Sequence, residues 1–216
     1  MDKLTQAFNF RHACKVFDDT KQISREEIDY ILDAGRQSPS SFGMEPWHFV
    51  IISDIAIKQR LKPLCYGQEQ ITSCSDLIIV LYRKDTQFTM QSEYLRQTVQ
   101  RTLPVEGASF DLDAACQYFI NYCTKGLPEG ISINNWSEMQ CYIASANMMT
   151  AAAYHGIDSC AIGGFQGEKV IAELEKQLPQ LSINNFGVAL CLAFGYRKNT
   201  QTEQVRWKKS DVSSFL

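Results

Sequence analysis

From Met139 to Ile157 the chain runs for 19 residues without Asp, Glu, Lys or Arg, and this run limits what it can fold into. An uncharged stretch of that length is either a membrane span or a helix enclosed by other structure. Gln140, Ser145, Asn147, Thr150 and His155 make the first choice costly, because hydrocarbon cannot satisfy their polar groups. Ala144, Ser145, Ala146, Ala151, Ala152 and Ala153 are small enough to let neighbouring helices approach closely. The run therefore reads as a central core or dimer helix from Trp136 to His155, stopped by Gly156.

Other elements follow from local pattern. Ser24-Arg25-Glu26-Glu27 forms a capping box, and Ile28, Ile31, Leu32 and Gly35 recur at helical spacing. That predicts a helix from about Arg25 to Gln37, ending at Ser38-Pro39 because the residue before proline leaves the helical region. His48 to Ser53 and Asp76 to Tyr82 read as strands with a short helix, Ile55 to Leu64, between them. Leu77-Ile78-Ile79-Val80-Leu81 is apolar on both faces, so its strand is central. Gln91 to Thr102 and Asp111 to Tyr122 read as helices separated by Pro104 to Gly107. Ser159 to Ile162 is a short strand, Gly163-Gly164 turns into a helix from Glu168 to Leu178, Phe186 to Gly195 is a buried strand, and Arg197 to Leu216 is a polar tail. The order is not a regular βαβ repeat and no G-x-G-x-x-G occurs, so a Rossmann fold has no support. The residues themselves give α+β and one domain over 1–216.

A net charge of −3 offers nothing to nucleic acid or to an anionic membrane. The N-terminal Leu4 to Phe10 is too short and polar for a secretory signal, which predicts a cytoplasmic protein. With no export signal and no C-x-x-C, the eight cysteines read as reduced, mostly buried thiols. His12, His48 and His155 are far apart and none has a partner at metal-site spacing, so no metal is expected.

Two stretches carry chemistry. Arg11-His12-Ala13-Cys14-Lys15-Val16-Phe17-Asp18 puts two cations on one side of a short segment, suited to a phosphate and an electron-rich ring edge. Ser38-Pro39-Ser40-Ser41-Phe42-Gly43-Met44-Glu45-Pro46-Trp47 supplies backbone donors and hydroxyls without bulk.

Together with Gly156 to Phe165, Phe186 to Tyr196 and Arg206, these segments resemble the FMN-dependent nitroreductase family over nearly the whole chain. The resemblance implies a mixed, mostly antiparallel sheet flanked by helices in an intertwined homodimer, with the tail from about 197 to 216 wrapping the partner. It implies FMN as cofactor and NAD(P)H as reductant. Arg11 and, near the C-terminus, Arg206 match phosphate ligands, and His12 and Ala13 beside Arg11 are expected among the cofactor contacts. Lys15 matches the lysine at the pyrimidine edge, where a cation stabilises the anionic reduced flavin. Pro39, Ser40, Ser41 and Gly43 match the loop that the other subunit lays over the flavin, and Gln140 matches a helix residue that also crosses the interface. Ala161, Ile162, Gly163 and Gly164 match the turn whose backbone faces N5. Gln70 falls where a basic residue is common and can donate to O2 without adding charge. Tyr66, Phe119 and Tyr122 are candidates for an aromatic lid over substrate.

Departures from the family pattern are specific. Relatives often carry Ser at the position of Ala13, Asn at that of Gly43, Glu at that of Gly163, Pro at that of Ala161 and a basic residue at that of Gln204. Fewer cations near the ring predict a lower flavin potential. The expected activity is ping-pong reduction of small planar acceptors (nitroaromatics, quinones or free flavins) by NAD(P)H. The rival readings are a non-catalytic FMN-binding redox sensor and a dehalogenating or flavin-fragmenting enzyme.

Overall fold

Helices begin where short polar side chains can cap them. A computed structural model describes residues 2–102 and 111–216 of the chain, so the expected separator at Pro104 to Gly107 lies outside the described residues. In chain order the elements are α1 (Lys3–Phe10), α2 (Arg25–Arg36), β1 (Trp47–Ile52), α3 (Ile55–Leu61), α4 (Gln70–Ser73), β2 (Asp76–Arg83), α5 (Glu93–Arg101), α6 (Leu112–Asn121), α7 (Ile133–Tyr154), β3 (Asp158–Ile162), α8 (Gly167–Glu175), β4 (Phe186–Gly195) and α9 (Lys209–Val212). Ser24 and Glu27 form the expected capping box at the start of α2. A second box, Ser132 with Asn135, starts α7 three residues before the expected Trp136. Helix α1 was not expected; Asp2 accepts from the Thr5 N–H at 3.0 Å and nucleates it. The single helix expected from Ile55 to Leu64 gives way at Leu61 to a 3₁₀ turn, Lys62–Cys65, that contains Pro63.

The strands form one sheet in the order β1-β2-β4-β3, each pair antiparallel. Among the described residues the parallel component is one isolated bridge, Ala13 to Ser159. Strand β2 lies between β1 and β4 and is covered on both sides, as its two apolar faces require. Leu77, Ile79 and Leu81 join one core with Val50, Leu61, Cys191 and Val170. Ile78 and Val80 join the other with Ile31, Ala144, Met148 and Leu192. A third, aromatic core gathers Phe88, Phe119 and Trp136 around Met44 and Leu95.

Helix α7 packs on β2 and against α2. The approach to α2 is close: a Cβ at Gly35 would lie 2.8 Å from the Met148 side chain. Gly156 has φ +73°, and its N–H and that of Ile157 return to Ala153 and Ala152, closing the helix as expected. One side of α7 stays open, with Met139, Tyr142 and Ile143 exposed. Among the described residues no helix is long and apolar enough to cross a membrane.

Candidate functional site

The basic N-terminal segment is extended where it crosses β3. The Cys14 N–H donates to Ser159 O at 3.0 Å beside the Ala13–Ser159 bridge. Side chains alternate along such a segment. His12 and Cys14 turn inward at 7% and 2% exposure, while Ala13 and Lys15 are exposed and Arg11 is half-buried. The two cations therefore share the outer side. His12, expected among the cofactor contacts, has its ring in the interior, 3.2 Å from Phe10 O and 3.6 Å from Asp158 Oδ1.

His12, Cys14 and Asp158 bring three ligand-type atoms within 4.8 Å of one another, a grouping that sequence spacing did not signal. It already contains a cation. Arg197 Nη2 lies 2.7 Å from Asp158 Oδ1, and the Arg197 N–H donates to Asp158 Oδ2 at 2.8 Å. Burial, with the Asp158 charge second, pushes the Cys14 thiol up to about 11, which keeps it protonated. The group reads as a buried ion pair that fixes the start of the basic segment to β3 and the tail.

Outward from that anchor a chain of contacts joins the segment to the glycine turn after β3. Lys15 Nζ donates to Cys160 Sγ at 3.7 Å, and Gln70 Nε2 reaches the same sulfur at 3.9 Å. Gln70 also donates to Gln68 Oε1 at 3.3 Å, and Gln68 donates to Gly164 O and Cys65 O, each at 2.9 Å. Lys15, Gln70 and the Cys160 to Gly164 segment thus meet despite lying far apart in sequence. Gln68 went unnoticed in the sequence, where a lone glutamine in a polar loop gives no signal. Ala161 is exposed near the end of β3 and Ile162 is buried in the core.

Gly163 and Gly164 do not have positive φ, so the turn itself does not demand glycine. What Gly163 provides is room: a Cβ there would meet no heavy atom within 4 Å. A Cβ at Gly164 would touch Gln68 and the Tyr66 ring at 3.4 Å. Tyr66 stands beside this turn with φ +54° and 66% exposure.

A second group forms elsewhere on the chain. The Ser41 N–H donates to Gln140 Oε1 at 3.0 Å, and Gln140 Nε2 donates to Trp136 O at 3.1 Å within α7. Ser40 Oγ accepts the Glu45 N–H at 2.8 Å and closes the loop on itself. Pro39 is exposed, and Gly43 has φ +62°, which glycine tolerates. Between them Phe42 adopts φ +58° and sets its ring 4.7 Å from Tyr122 and 5.5 Å from Phe119. Phe119 is 2% exposed in the aromatic core, so it supports this cluster from beneath and offers no open face as a lid. Phe42, at 42% exposure, is the ring that sequence reading missed; its positive φ became visible only in the fold.

Among the described residues no hydrogen bond joins the Ser41–Gln140 group to the Lys15–Gly164 group. Arg206 is exposed and donates to Val205 O at 2.7 Å. Two residues before it, the Gln204 amide donates to Phe8 O at 2.8 Å and to Arg11 O, which carries the tail to the basic segment. A cleft of about 170 Å³ lies between the basic segment and the start of the tail, lined by Ala13, Lys15, Arg197 and Thr200. A larger cleft of about 630 Å³, around Arg83 and Tyr94, contains none of the predicted residues.

The Nitroreductase family model matches residues 9–196. An inferred NAD(P)H nitroreductase of Staphylococcus haemolyticus is 37% identical over 223 residues, covering 100% of this chain and 98% of its own. The solved structure of an inferred nitroreductase from Exiguobacterium sibiricum in complex with FMN superposes with a TM-score of 0.78 at 21% identity, covering 100% of this chain and 98% of that one. An inferred NAD(P)H:FMN oxidoreductase from Staphylococcus epidermidis gives 0.77 at 24% identity, covering 100% and 97%. At these identities the two structures speak to fold alone.

Proposed function

The chain belongs to the nitroreductase family, and from that premise we propose that it is an FMN-dependent NAD(P)H oxidoreductase acting on small planar acceptors. The observation that carries this reading is the run of contacts from Lys15 through Cys160, Gln70 and Gln68 to Gly164. It sets a cation and amides beside an open glycine floor. Those donors fit the group: Lys15 and Gln70 suit an electron-rich pyrimidine edge, and the empty space above Gly163 admits a flat ring close to the backbone. Arg11 and Arg206 would take a phosphate near the tail–segment junction held by Gln204.

FMN, when bound, supplies hydride chemistry that no side chain of this protein can perform. Arg11 and Arg206 would bind its phosphate, Lys15 would place a cation where charge accumulates on reduction, and the open space at Gly163 would leave the ring face accessible. One accessible face would suit alternating entry of NAD(P)H and acceptor, hence ping-pong kinetics.

The Ser41–Gln140 loop belongs in this reading to the partner's site. Each chain then contributes its basic segment to one flavin and its Pro39 to Gly43 loop to the other, which makes the protein a homodimer. Exposed apolar side chains support it: Leu4 and Phe8 on α1, Met139, Tyr142 and Ile143 on α7, and Val205, Trp207 and Phe215 in the tail. The tail from about 197 onward is the segment that wraps the partner.

An absorbance spectrum of the purified protein, followed by stopped-flow mixing with NADPH and with NADH, tests the proposal. Flavin bands that bleach within the turnover time support it. Flavin that neither nucleotide reduces would make the protein a sensor instead, and a colourless protein that takes up no FMN would overturn the reading.

A further inference from the structure

We infer that Cys160 is a positioning residue, whose sulfur holds the Lys15 ammonium and the Gln70 amide together at the edge where the flavin pyrimidine would lie. This rests on the FMN reading of the site. Lys15 sits on an exposed, otherwise unsupported stem, and among the described residues Cys160 Sγ is its one hydrogen-bonding or ionic partner, at 3.7 Å. Gln70 is 6% exposed and directs Nε2 at the same sulfur, at 3.9 Å. The sulfur itself is fixed. Cys160 is 1% exposed and pairs with Ala193 in the β3–β4 register, and its S–H donates to Ala161 O at 3.7 Å, leaving the sulfur lone pairs to the two donors.

The choice of acceptor matters. A four-carbon lysine stem loses considerable rotamer freedom when held, so an unheld Lys15 would spread its charge over many positions. A carboxylate at this point would hold it firmly but neutralise it. A thiol is a weak, uncharged acceptor. It restrains the ammonium while leaving the full charge for the ligand edge. Two donors from segments 55 residues apart (Lys15 and Gln70) share one sulfur anchor.

A double-mutant cycle on the FMN-loaded protein tests this, with the two-electron potential of bound FMN and the FMN dissociation constant as readouts. Cys160→Ala should lower the ratio of reduced-to-oxidised FMN affinity about fivefold, a drop of about 20 mV for a two-electron couple. In a Lys15→Met background the same substitution should shift the ratio less than twofold, because its effect passes through Lys15. Cys160→Ser, which keeps an acceptor and nearly the same volume, should shift the potential less than Cys160→Ala. It also carries the test if the alanine variant does not fold. Equal shifts in both backgrounds, or no shift in the wild-type background, would overturn the positioning role while leaving the FMN reading intact. A wild-type chain that binds no FMN would remove both.

Discussion

The Ser41 backbone N–H donates to the Gln140 side-chain oxygen at 3.0 Å, tying a surface loop to the central helix across 99 residues of sequence. Gln140 is itself buried and braced on Trp136 O, so the loop is held by a side chain with little freedom. Gln140→Leu removes the acceptor and leaves the Ser41 N–H to whatever water reaches it. Ser41 is half-buried, so the cost should fall near the lower end of the range, about 1 kcal/mol. A chain of this size should then melt about 2–4 °C lower. Flavin affinity should fall as well, because the loop is the proposed cover of the partner's site. A variant with unchanged melting and unchanged FMN titration would show that this contact holds nothing of consequence.

Arg11→Ala and Arg206→Ala should each weaken FMN binding by about 1.5–3 kcal/mol, the range for charge-assisted contacts that lose one partner. Neither side chain supports the core: Arg206 is exposed and its hydrogen bond among the described residues is to the adjacent Val205 O. Melting of the apo protein should stay within about 0.5 kcal/mol of wild type, as for ordinary surface substitutions. Fluorescence titration of apo protein with FMN measures the loss, and wild-type affinity in either variant removes that residue from the site.

How much of this was legible beforehand follows from the range of each signal. The capping box at Ser24, the two-faced apolar strand at Leu77 to Leu81 and the glycine stop at Gly156 are local, and each is found where the sequence put it. Helix α1 was missed because it is only eight residues long and its start rests on one capping aspartate. The placements of the His12 and Phe119 rings are not legible beforehand because a histidine among cations and a phenylalanine on an amphipathic helix look the same whether they face in or out. Only the bridge of Ala13 to Ser159 decides the first, and only the packing of Phe88 and Trp136 decides the second. The convergence of Lys15, Gln70 and Gly164 on one place is a property of strand order, and no local pattern carries it.

The protein should purify as a homodimer with one non-covalent FMN per subunit. Trp207 and Phe215 are 80% and 90% exposed on the single chain, a large apolar area to leave in water without a partner. Light scattering on the intact protein, with flavin released by acid and counted against protein, checks both numbers. Trp207→Ala together with Phe215→Ala should raise the dimer dissociation constant by tenfold or more, since each ring is worth about 1.5–3 kcal/mol when fully buried. A monomer that holds flavin at full occupancy would defeat the shared-site arrangement.

Stability should depend on Glu27 in one pH direction. The Ser24 backbone N–H at 2.9 Å is the main reason the Glu27 carboxyl lies below its ordinary value, with the Ser24 hydroxyl adding to it. A group depressed in the folded state stabilises above its unfolded pKa, about 4.3 for glutamate, and that contribution disappears as pH falls through the lower folded value. Glu27→Ala should therefore cost about 0.5–1 kcal/mol at pH 7. The gap to wild type should narrow steadily below about pH 4. Denaturant melts at pH 7, 5 and 3.5 measure it, and a gap that widens in acid would contradict the sign.

Gly163 separates folding from chemistry. Its φ is not positive and a Cβ there meets nothing within 4 Å, so Gly163→Val introduces neither backbone strain of the left-handed kind nor a clash with the chain. Apo stability should change by less than about 1 kcal/mol, the modest effect of a surface substitution with β-branching. The added methyls enter the space that the proposed ring would occupy, so FMN affinity should fall by tenfold or more, and turnover of a nitroaromatic acceptor with it. Gly164→Val is the contrasting control, because its Cβ would already touch Gln68 and Tyr66 at 3.4 Å, so the added methyls would extend into the contact chain itself. If Gly163→Val binds FMN and turns over like wild type, the open floor beside β3 is not where the flavin sits. The ring would then have to be sought away from the Lys15–Gly164 group altogether.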